Sequence, residues 1–304
     1  MLFLWIGYLR QLIQSPMRSI FSLLIILSVP LSGMGTQFLV LPSSAEELSM
    51  GSHATLPGLF PINPALFSAP EKYPHFSINR GSWLGDVTLS HLGYNQSFDN
   101  KTAHLGIKYS GLTGIEFREN IPQDNASSNF SAYGLCMDAG ISIDRGNQKF
   151  GFSISYIDLG LYTERSSGLG LNLGYALEIK NKFDIGIAVQ NIGKMNTLSN
   201  EAPSLPIRVS SGISKLIRSD RFVNNIFGSL EWNSLATESK IYLGNRFSWN
   251  RLDILFGYST SQEVVESSIG VGLNLNRYHF SYGTRIGSQD LGIPKVLSVR
   301  LLLP

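Results

Sequence analysis

The ten residues "SSIGVGLNLN" (Ser267 to Asn276) place Ile269, Val271, Leu273 and Leu275 at alternate positions, with Ser268, Gly270, Gly272, Asn274 and Asn276 as the other set. Successive side chains of a strand point to opposite faces, so this stretch has one apolar face and one small, polar face. The same division recurs on either side of it. In "GLGLNLGYALEI", Leu169, Leu171, Leu173, Tyr175, Leu177 and Ile179 oppose Gly168, Gly170, Asn172, Gly174, Ala176 and Glu178. In "KFDIGIAVQ", Phe183, Ile185, Ile187 and Val189 oppose Asp184, Gly186, Ala188 and Gln190; in "QKFGFSISY", Phe150, Phe152, Ile154 and Tyr156 oppose Gly151, Ser153 and Ser155. "RLDILFGYS" and "YHFSYGTRI" follow less cleanly, because Leu255 breaks the first.

Such alternation fits a soluble sandwich, whose apolar face packs inward, and an outer-membrane barrel, whose apolar face meets lipid. Length favours the barrel, since membrane strands need about 9–11 residues while globular strands run about 5–6. The polar faces favour it too. Water-facing strands would carry Lys, Glu and Thr, whereas Gly, Ser, Asn and Ala fit a crowded lumen. Tyr94, Tyr109, Tyr162, Trp249, Tyr258, Tyr278 and Tyr282 sit near segment ends, as interfacial girdles do. The fold class expected is all-β: a transmembrane antiparallel β-barrel over residues 75–304. Fifteen segments can be counted, and single-chain barrels carry even numbers, so about fourteen strands are expected. Either 114–120 is a loop, or one of the first two segments is not a full wall strand. The longer polar connections (Asn120 to Asn129, Gly193 to Pro206, Gly287 to Pro294) are expected on one side of the membrane.

Composition agrees. Charged residues make up 15% of the 304, against roughly 25% in soluble domains, and hydrophobic residues 43%. The net charge of +2, without a run of Lys or Arg, excludes a nucleic-acid footprint. Cys136 is the only cysteine, which excludes an internal disulfide and a Cys-based metal cage. The five histidines show no ligand-like spacing, and there is no phosphate-binding loop or catalytic triad. No catalytic residue, metal or cofactor is expected, and the chain does not read as an enzyme.

Residues 1–35 read as a targeting signal. Arg18 precedes the apolar run "SIFSLLIILSVPLSG" (Ser19 to Gly33), and Gly33-Met34-Gly35 offers small residues for cleavage after Gly35. Met17 is a better start than Met1, with an amphipathic anchor as the other reading of the residues before it. An uncleaved transmembrane helix is the bland alternative, but the run falls short of the roughly 20 residues that span a bilayer. An exported chain with one greasy face is expected in the bacterial outer membrane, with membrane lipid as a partner.

Between the leader and the strands lies "FLVLPSSAEELSMGSHATLPGLFPINPALF" (Phe38 to Phe67). Ser43-Ser44, with a serine as N-cap and Glu46 and Glu47 in the first turn, is a helix start, and Gly51 stops it. The Pro-interrupted part cannot join a sheet as a central strand. Leu56, Leu59, Phe60, Ile62, Leu66 and Phe67 need a dry place, so 36–74 is expected to fold back into the lumen as a hatch; a disordered periplasmic tail is the alternative. Asn63-Pro64-Ala65 reads as a hatch hinge or an ordinary turn, since proline fixes its own backbone and pushes Asn63 extended.

This segment resembles a family. Phe38, Leu39, Leu41, Pro42, Ser44, Ala45, Gly51, Asn63, Pro64, Ala65 and Leu66 resemble the N-terminal signature of the PorV/PorQ outer-membrane proteins of the type IX secretion system, themselves similar to FadL-type barrels. "VQNIGK" (Val189 to Lys194) and "LPIRVSSGIS" (Leu205 to Ser214) fit the family's later elements. Glu46 departs from the pattern, which has Arg there. The resemblance implies a fourteen-stranded barrel with a lumenal hatch and a non-enzymatic scaffold role, holding a large cell-surface secretion-system protein. A FadL-like channel for hydrophobic small molecules is the alternative, with a hydrophobic ligand as its partner; an exported soluble adhesin is a third reading.

Among the inward charges, Arg208, Arg246, Arg285 and Arg300 are expected to form a bracing network with Asp138, Asp184, Asp253 and Glu178, with an ion filter as the alternative. Cys136, Asp138 and Asp144 share one face of "YGLCMDAGISID" (Tyr133 to Asp144), which puts Cys136 in the lumen as a small filler.

Overall fold

A computed structural model describes residues 35–67, 73–117, 128–179, 183–236, 239–262, 264–287 and 292–303. The export leader and the choice of Met17 lie outside the described residues. The strands are β1 (His75–Ser82), β2 (Thr88–Phe98), β3 (Lys101–Phe117), β4 (Ser128–Arg145) and β5 (Gln148–Leu161). Then come β6 (Glu164–Ile179), β7 (Phe183–Met195), β8 (Arg208–Arg218), β9 (Val223–Asn233) and β10 (Lys240–Trp249). The last four are β11 (Leu252–Thr260), β12 (Val265–Leu275), β13 (Tyr278–Gly287) and β14 (Lys295–Leu302). Each pairs antiparallel with the next, and β1 pairs with β14 (Ile78 opposite Val299), so the sheet closes into a fourteen-stranded barrel without a free edge.

The alternation maps directly onto the wall. In β12, Ile269, Val271 and Leu273 face outward and exposed, while Gly270 and Gly272 face the lumen and are buried. Leu105, Leu169, Leu243 and Leu297 continue this apolar belt around the outside. An outside without hydration suits lipid, where closed barrels satisfy every backbone polar group.

The two ends differ. Tight turns at 99–100, 146–147, 250–251 and 276–277 close one end, where Asp99, Asn250 and Asn276 adopt positive φ of 51°, 54° and 52°. Asn and Asp tolerate this left-handed backbone better than other non-glycine residues, which suits two-residue hairpins. The other end carries the longer connections, including 196–207 and those after β3 and β13, so the three expected long loops share one side. Outer-membrane barrels put short turns in the periplasm and long loops outside.

One segment count needs correction. β1 and β2 are both wall strands, and the surplus segment is the far end of β3. A register shift between Leu112 and Ile115 against β4, with Gly114 at φ 74°, breaks the alternation there. A bulge adds an unpaired residue and flips the phase, so one strand reads as two.

Candidate functional site

Residues 36–67 lie inside the barrel. A 3-10 turn, Thr36–Val40, packs on β4 near the long-loop end. Helix α1 (Ala45–Met50) follows and lies across β10 to β14. Its start is built as the sequence suggests: Ser44 Oγ accepts from Glu47 N at 3.1 Å, and Gly51 ends it at φ 95°. A side-chain N-cap of this kind is worth about 1 kcal/mol. Ala45 N also donates to Ser298 Oγ on β14 at 2.8 Å, so the helix start is pinned to the wall. The chain then crosses to β4, β5 and β6, where Pro64–Leu66 forms a 3-10 turn, before β1 begins at the tight-turn end.

Asn63, Pro64, Ala65 and Leu66 make the most heavily bonded part of this path. Asn63 is extended (φ −104°, ψ 107°) and fully buried. Its Nδ2 donates to Ala54 O (2.8 Å) and to Tyr175 O of β6 (2.9 Å), while Oδ1 accepts from Ala65 N (3.0 Å). One side chain thus ties the hatch to itself, to the wall and to the next turn. Leu66 N closes the turn on Asn63 O at 2.9 Å.

The wall receives the hatch on glycines. A Cβ on Gly151 would run into the backbone of Pro64 and Ala65, one on Gly174 into Asn63, and one on Gly186 into Ala54. Gly270 and Gly283 stand in the same relation to Ser49 and Ala45 of α1. These glycines lie opposite one another across strands: Gly151 with Gly174, Gly186 with Gly212, Gly270 with Gly283. Each facing pair makes a flat patch on which hatch backbone rests. Sequence reasoning read the inward glycines only as a crowded lumen; their cross-strand pairing, which needs the register, is the signal that locates the seats.

The inward charges are paired, but mostly not as expected. Arg300 donates to Glu46 at 3.0 Å, and His279 stands 3.6 Å from the same carboxylate. Arg208 pairs with Glu231 at 2.6 Å and lies 3.9 Å from Glu47. Arg285 reaches Glu266 at 3.5 Å and donates to Leu48 O. Of the expected acids, Asp253 pairs with His279 at 3.3 Å and Asp138 with His104 at 2.7 Å, while Asp184 accepts from Ser214. Three of the four arginines, Arg300 and Arg246 at Glu46 and Arg208 at Glu47, therefore look toward acids on the hatch, which strand periodicity does not place, and Arg246 also senses the expected Asp253. Burial alone would raise the Glu46 carboxyl, but the charges of Arg300, His279 and Arg246 outweigh it and hold it at about 2. Glu46, at the position where the resembled family has Arg, is the hatch's main ionic anchor.

Histidines also meet the hatch. His91 donates from Nδ1 to Ser43 O at 2.6 Å, and His104 stacks on Phe67 at 4.2 Å between ring centroids. His53, on the hatch, hydrogen-bonds to Ser229 and Met50 O and stacks on Phe227. Burial pushes its pKa down to about 4, against a weaker opposing pull from the Met50 carbonyl.

The later motifs converge as well. Asn191 of "VQNIGK" has φ 61° at a bulge, donates its N–H to Asn172 Oδ1, and donates from Nδ2 to Pro206 O of "LPIR" at 3.0 Å. Cys136 faces the lumen and is buried against Phe38, Ile157, Leu159, Met195 and Leu205. Leu255, the residue that broke the alternation of β11, is buried inward with Met50, Leu56 and Phe227. Beside the hatch, two lumenal cavities of about 30 and 80 Å³ hold no more than a few waters. Among the described residues no cluster of three His, Cys, Asp or Glu could hold a metal ion.

No protein-family model and no curated protein matches the chain. Solved structures do. The Pseudomonas putida toluene transporter TodX superposes with a TM-score of 0.63 at 13% identity, over 86% of this chain and 98% of that one. A second TodX structure covers 90% of this chain with a TM-score of 0.59 at 12% identity. The CymD monoaromatic hydrocarbon channel gives 0.58 at 12% identity, over 86% of this chain and 97% of its own. The fold is that of FadL-type outer-membrane barrels. At these identities the likeness establishes architecture, and with it an outer-membrane type of barrel; function has to come from the lumen.

Proposed function

We propose that this chain is an outer-membrane channel for hydrophobic small molecules, closed by its own residues 36–67. The observation that carries the reading is the kind of closure. The hatch fills the lumen yet is held only by noncovalent contacts, and it brings an apolar column (Phe38, Leu48, Met50, Leu56, Leu59, Ile62) into a wall that is mostly Gly, Ser and Asn. Moving that segment would open a route with apolar groups along it. The shared architecture with TodX and CymD, described as a toluene transporter and a monoaromatic hydrocarbon channel, supports the same choice.

A second reading keeps the barrel as a type IX secretion scaffold of the PorV/PorQ kind, holding a large partner on its long loops. What favours it is the ordered N-terminal motif set, together with the contact between "VQNIGK" and "LPIR" through Asn191 and Pro206. It draws no support from the sequence or structure comparisons. A native pull-down in mild detergent separates the two. A barrel that elutes alone with bound hydrophobic molecules is expected; a large exported protein at near-equal stoichiometry would overturn the channel in favour of the scaffold.

A further inference from the structure

We propose that the outer face of the wall carries, at its tight-turn end, a site for one anionic phospholipid. Arg251 and Arg277 hold its phosphate, and a row of Trp249, Leu252, Leu273 and Phe280 lies under its acyl chains. Neither the hatch nor the lumen enters into it, so it stands whatever crosses the barrel.

The row comes from the register. Trp249 of β10 lies opposite Leu252 of β11, Leu252 opposite Leu273 of β12, and Leu273 opposite Phe280 of β13. Four neighbouring strands thus place four apolar side chains at one height on the lipid side. Leu275 and Tyr278, opposite each other nearer the strand ends, add to it. Trp249 and Tyr278 are half exposed, and such rings settle at the level of lipid headgroups. Between Trp249, Asn250, Arg251, Leu252 and Leu273 the surface is hollowed into an open groove of about 490 Å³. A smooth apolar belt lets lipids exchange freely along it, whereas a groove gives one of them a fixed place.

Charge selects the headgroup. The hairpins 250–251 and 276–277 are neighbours, linked where Asn274 N donates to Arg251 O at 2.8 Å, and each puts one exposed arginine at the rim. Among the described residues neither guanidinium has a hydrogen-bond or ion-pair partner. The other described hairpins of this end keep an acid beside their bases: Asp99 before Lys101, Asp144 paired with Lys149 at 3.1 Å, and Asp220 between Arg218 and Arg221. Here the nearby acid, Asp253, points into the lumen, where His279 and Asn274 take it. The rim is therefore a local excess of two positive charges. Short turns mark the periplasmic side, whose leaflet is phospholipid. Arginine meets phosphate oxygens with paired N–H donors, and its stem can lie along apolar surface while the head stays in water. Phosphatidylethanolamine would bring a further cation to a rim without a free acid; phosphatidylglycerol brings hydroxyls instead.

The purified barrel, held in mild detergent with equal amounts of phosphatidylglycerol and phosphatidylethanolamine of the same acyl chains, would be weighed by native mass spectrometry. Wild type is expected to retain one phosphatidylglycerol with at least about fivefold preference, the effect that one basic residue near an anionic lipid surface supplies. Replacing both arginines, Arg251→Gln with Arg277→Gln, should bring the ratio close to one, and Arg251→Lys with Arg277→Lys should keep most of it. Arg145→Gln, which removes a base from a hairpin that holds Asp144, should leave the ratio unchanged. No preference in wild type, a preference that survives the glutamine pair, or an equal loss in Arg145→Gln would overturn the site. Should the glutamine pair fail to assemble, each single glutamine variant is expected to lower the ratio, and an unchanged ratio in both would overturn it equally. Inorganic phosphate is the remaining competitor. Lipid retention that phosphate leaves intact is expected, and displacement by phosphate would make the rim an ion site and overturn the lipid.

Discussion

Asn63 shows how much one side chain can carry. It makes three hydrogen bonds in a fully buried position, two of them as donor to backbone carbonyls of Ala54 and Tyr175. Asn63→Ala leaves both carbonyls without that donor, at about 1–3 kcal/mol for each buried group left unpaired. The barrel needs none of these bonds, so the loss falls on hatch docking: chymotrypsin should cut after Phe67 several-fold faster while the barrel stays folded. His53 makes the same segment sensitive to pH. Docked, its pKa is about 4; free in water it returns toward 6.5. Docking is thus unaffected above pH 6.5, weakens as pH falls toward 4, and loses no more through this group below that. The full gap is worth on the order of 3 kcal/mol at 1.4 kcal/mol per pH unit. Its neighbours Ser229, Phe227, Tyr242 and the Met50 carbonyl offer no charge to offset protonation. Glu46 runs on a different scale: its contribution is complete above 4.5 and is lost only as pH falls through about 2. Protection of the hatch amides, measured as hydrogen exchange relative to the intrinsic rate at each pH, should therefore fall between pH 6.5 and 4 in wild type more than in His53→Gln. Identical profiles in the two proteins would refute the assignment.

At the scale of elements, the strands were legible and the hatch path was not. A strand's outward face is set by residues two apart, so Ile269, Val271 and Leu273 announce it locally. The hatch meets partners far away in sequence, such as Glu46 with Arg300, and no local period encodes that. The inward arginines accordingly looked as if they needed wall acids, when Arg300 and Arg246 face Glu46 and Arg208 faces Glu47. Leu255 looked like a defect in β11 and is a hatch contact. β3 looked like two segments because of its bulge. Of the motif residues, Gly51 and the Ser43-Ser44 pair were readable as helix ends because capping is local, with Ser44 proving to be the cap, and Asn63 was readable as extended because proline follows it. The glycine seats give the matching prediction. Gly151→Leu or Gly174→Leu should displace the Asn63–Leu66 turn and make the hatch protease-sensitive, with the barrel still resistant to unboiled SDS. Phe152→Leu, beside Gly151 on the lipid face and opposite Leu173, should do neither.

Taken whole, the molecule is a rigid closed wall around a segment that is held at points. The wall has every strand paired on both sides, whereas the hatch depends on Asn63, Glu46, the His53 contacts and a set of glycine patches. On the proposed channel reading, that contrast in connectivity would let the lumen change state while the barrel stays intact. The central claim is that hydrophobic molecules cross only when this segment moves. The most direct measurement locks it: in a Cys136→Ser background, Ala45→Cys and Ser298→Cys place a crosslink where Ala45 N already touches Ser298 Oγ at 2.8 Å. Uptake of a labelled monoaromatic hydrocarbon by cells expressing this variant would be followed under oxidising and reducing conditions. The account predicts uptake above an empty-vector control when reduced and its loss when the crosslink forms. Equal uptake in both states, or none above the control in either, would contradict it.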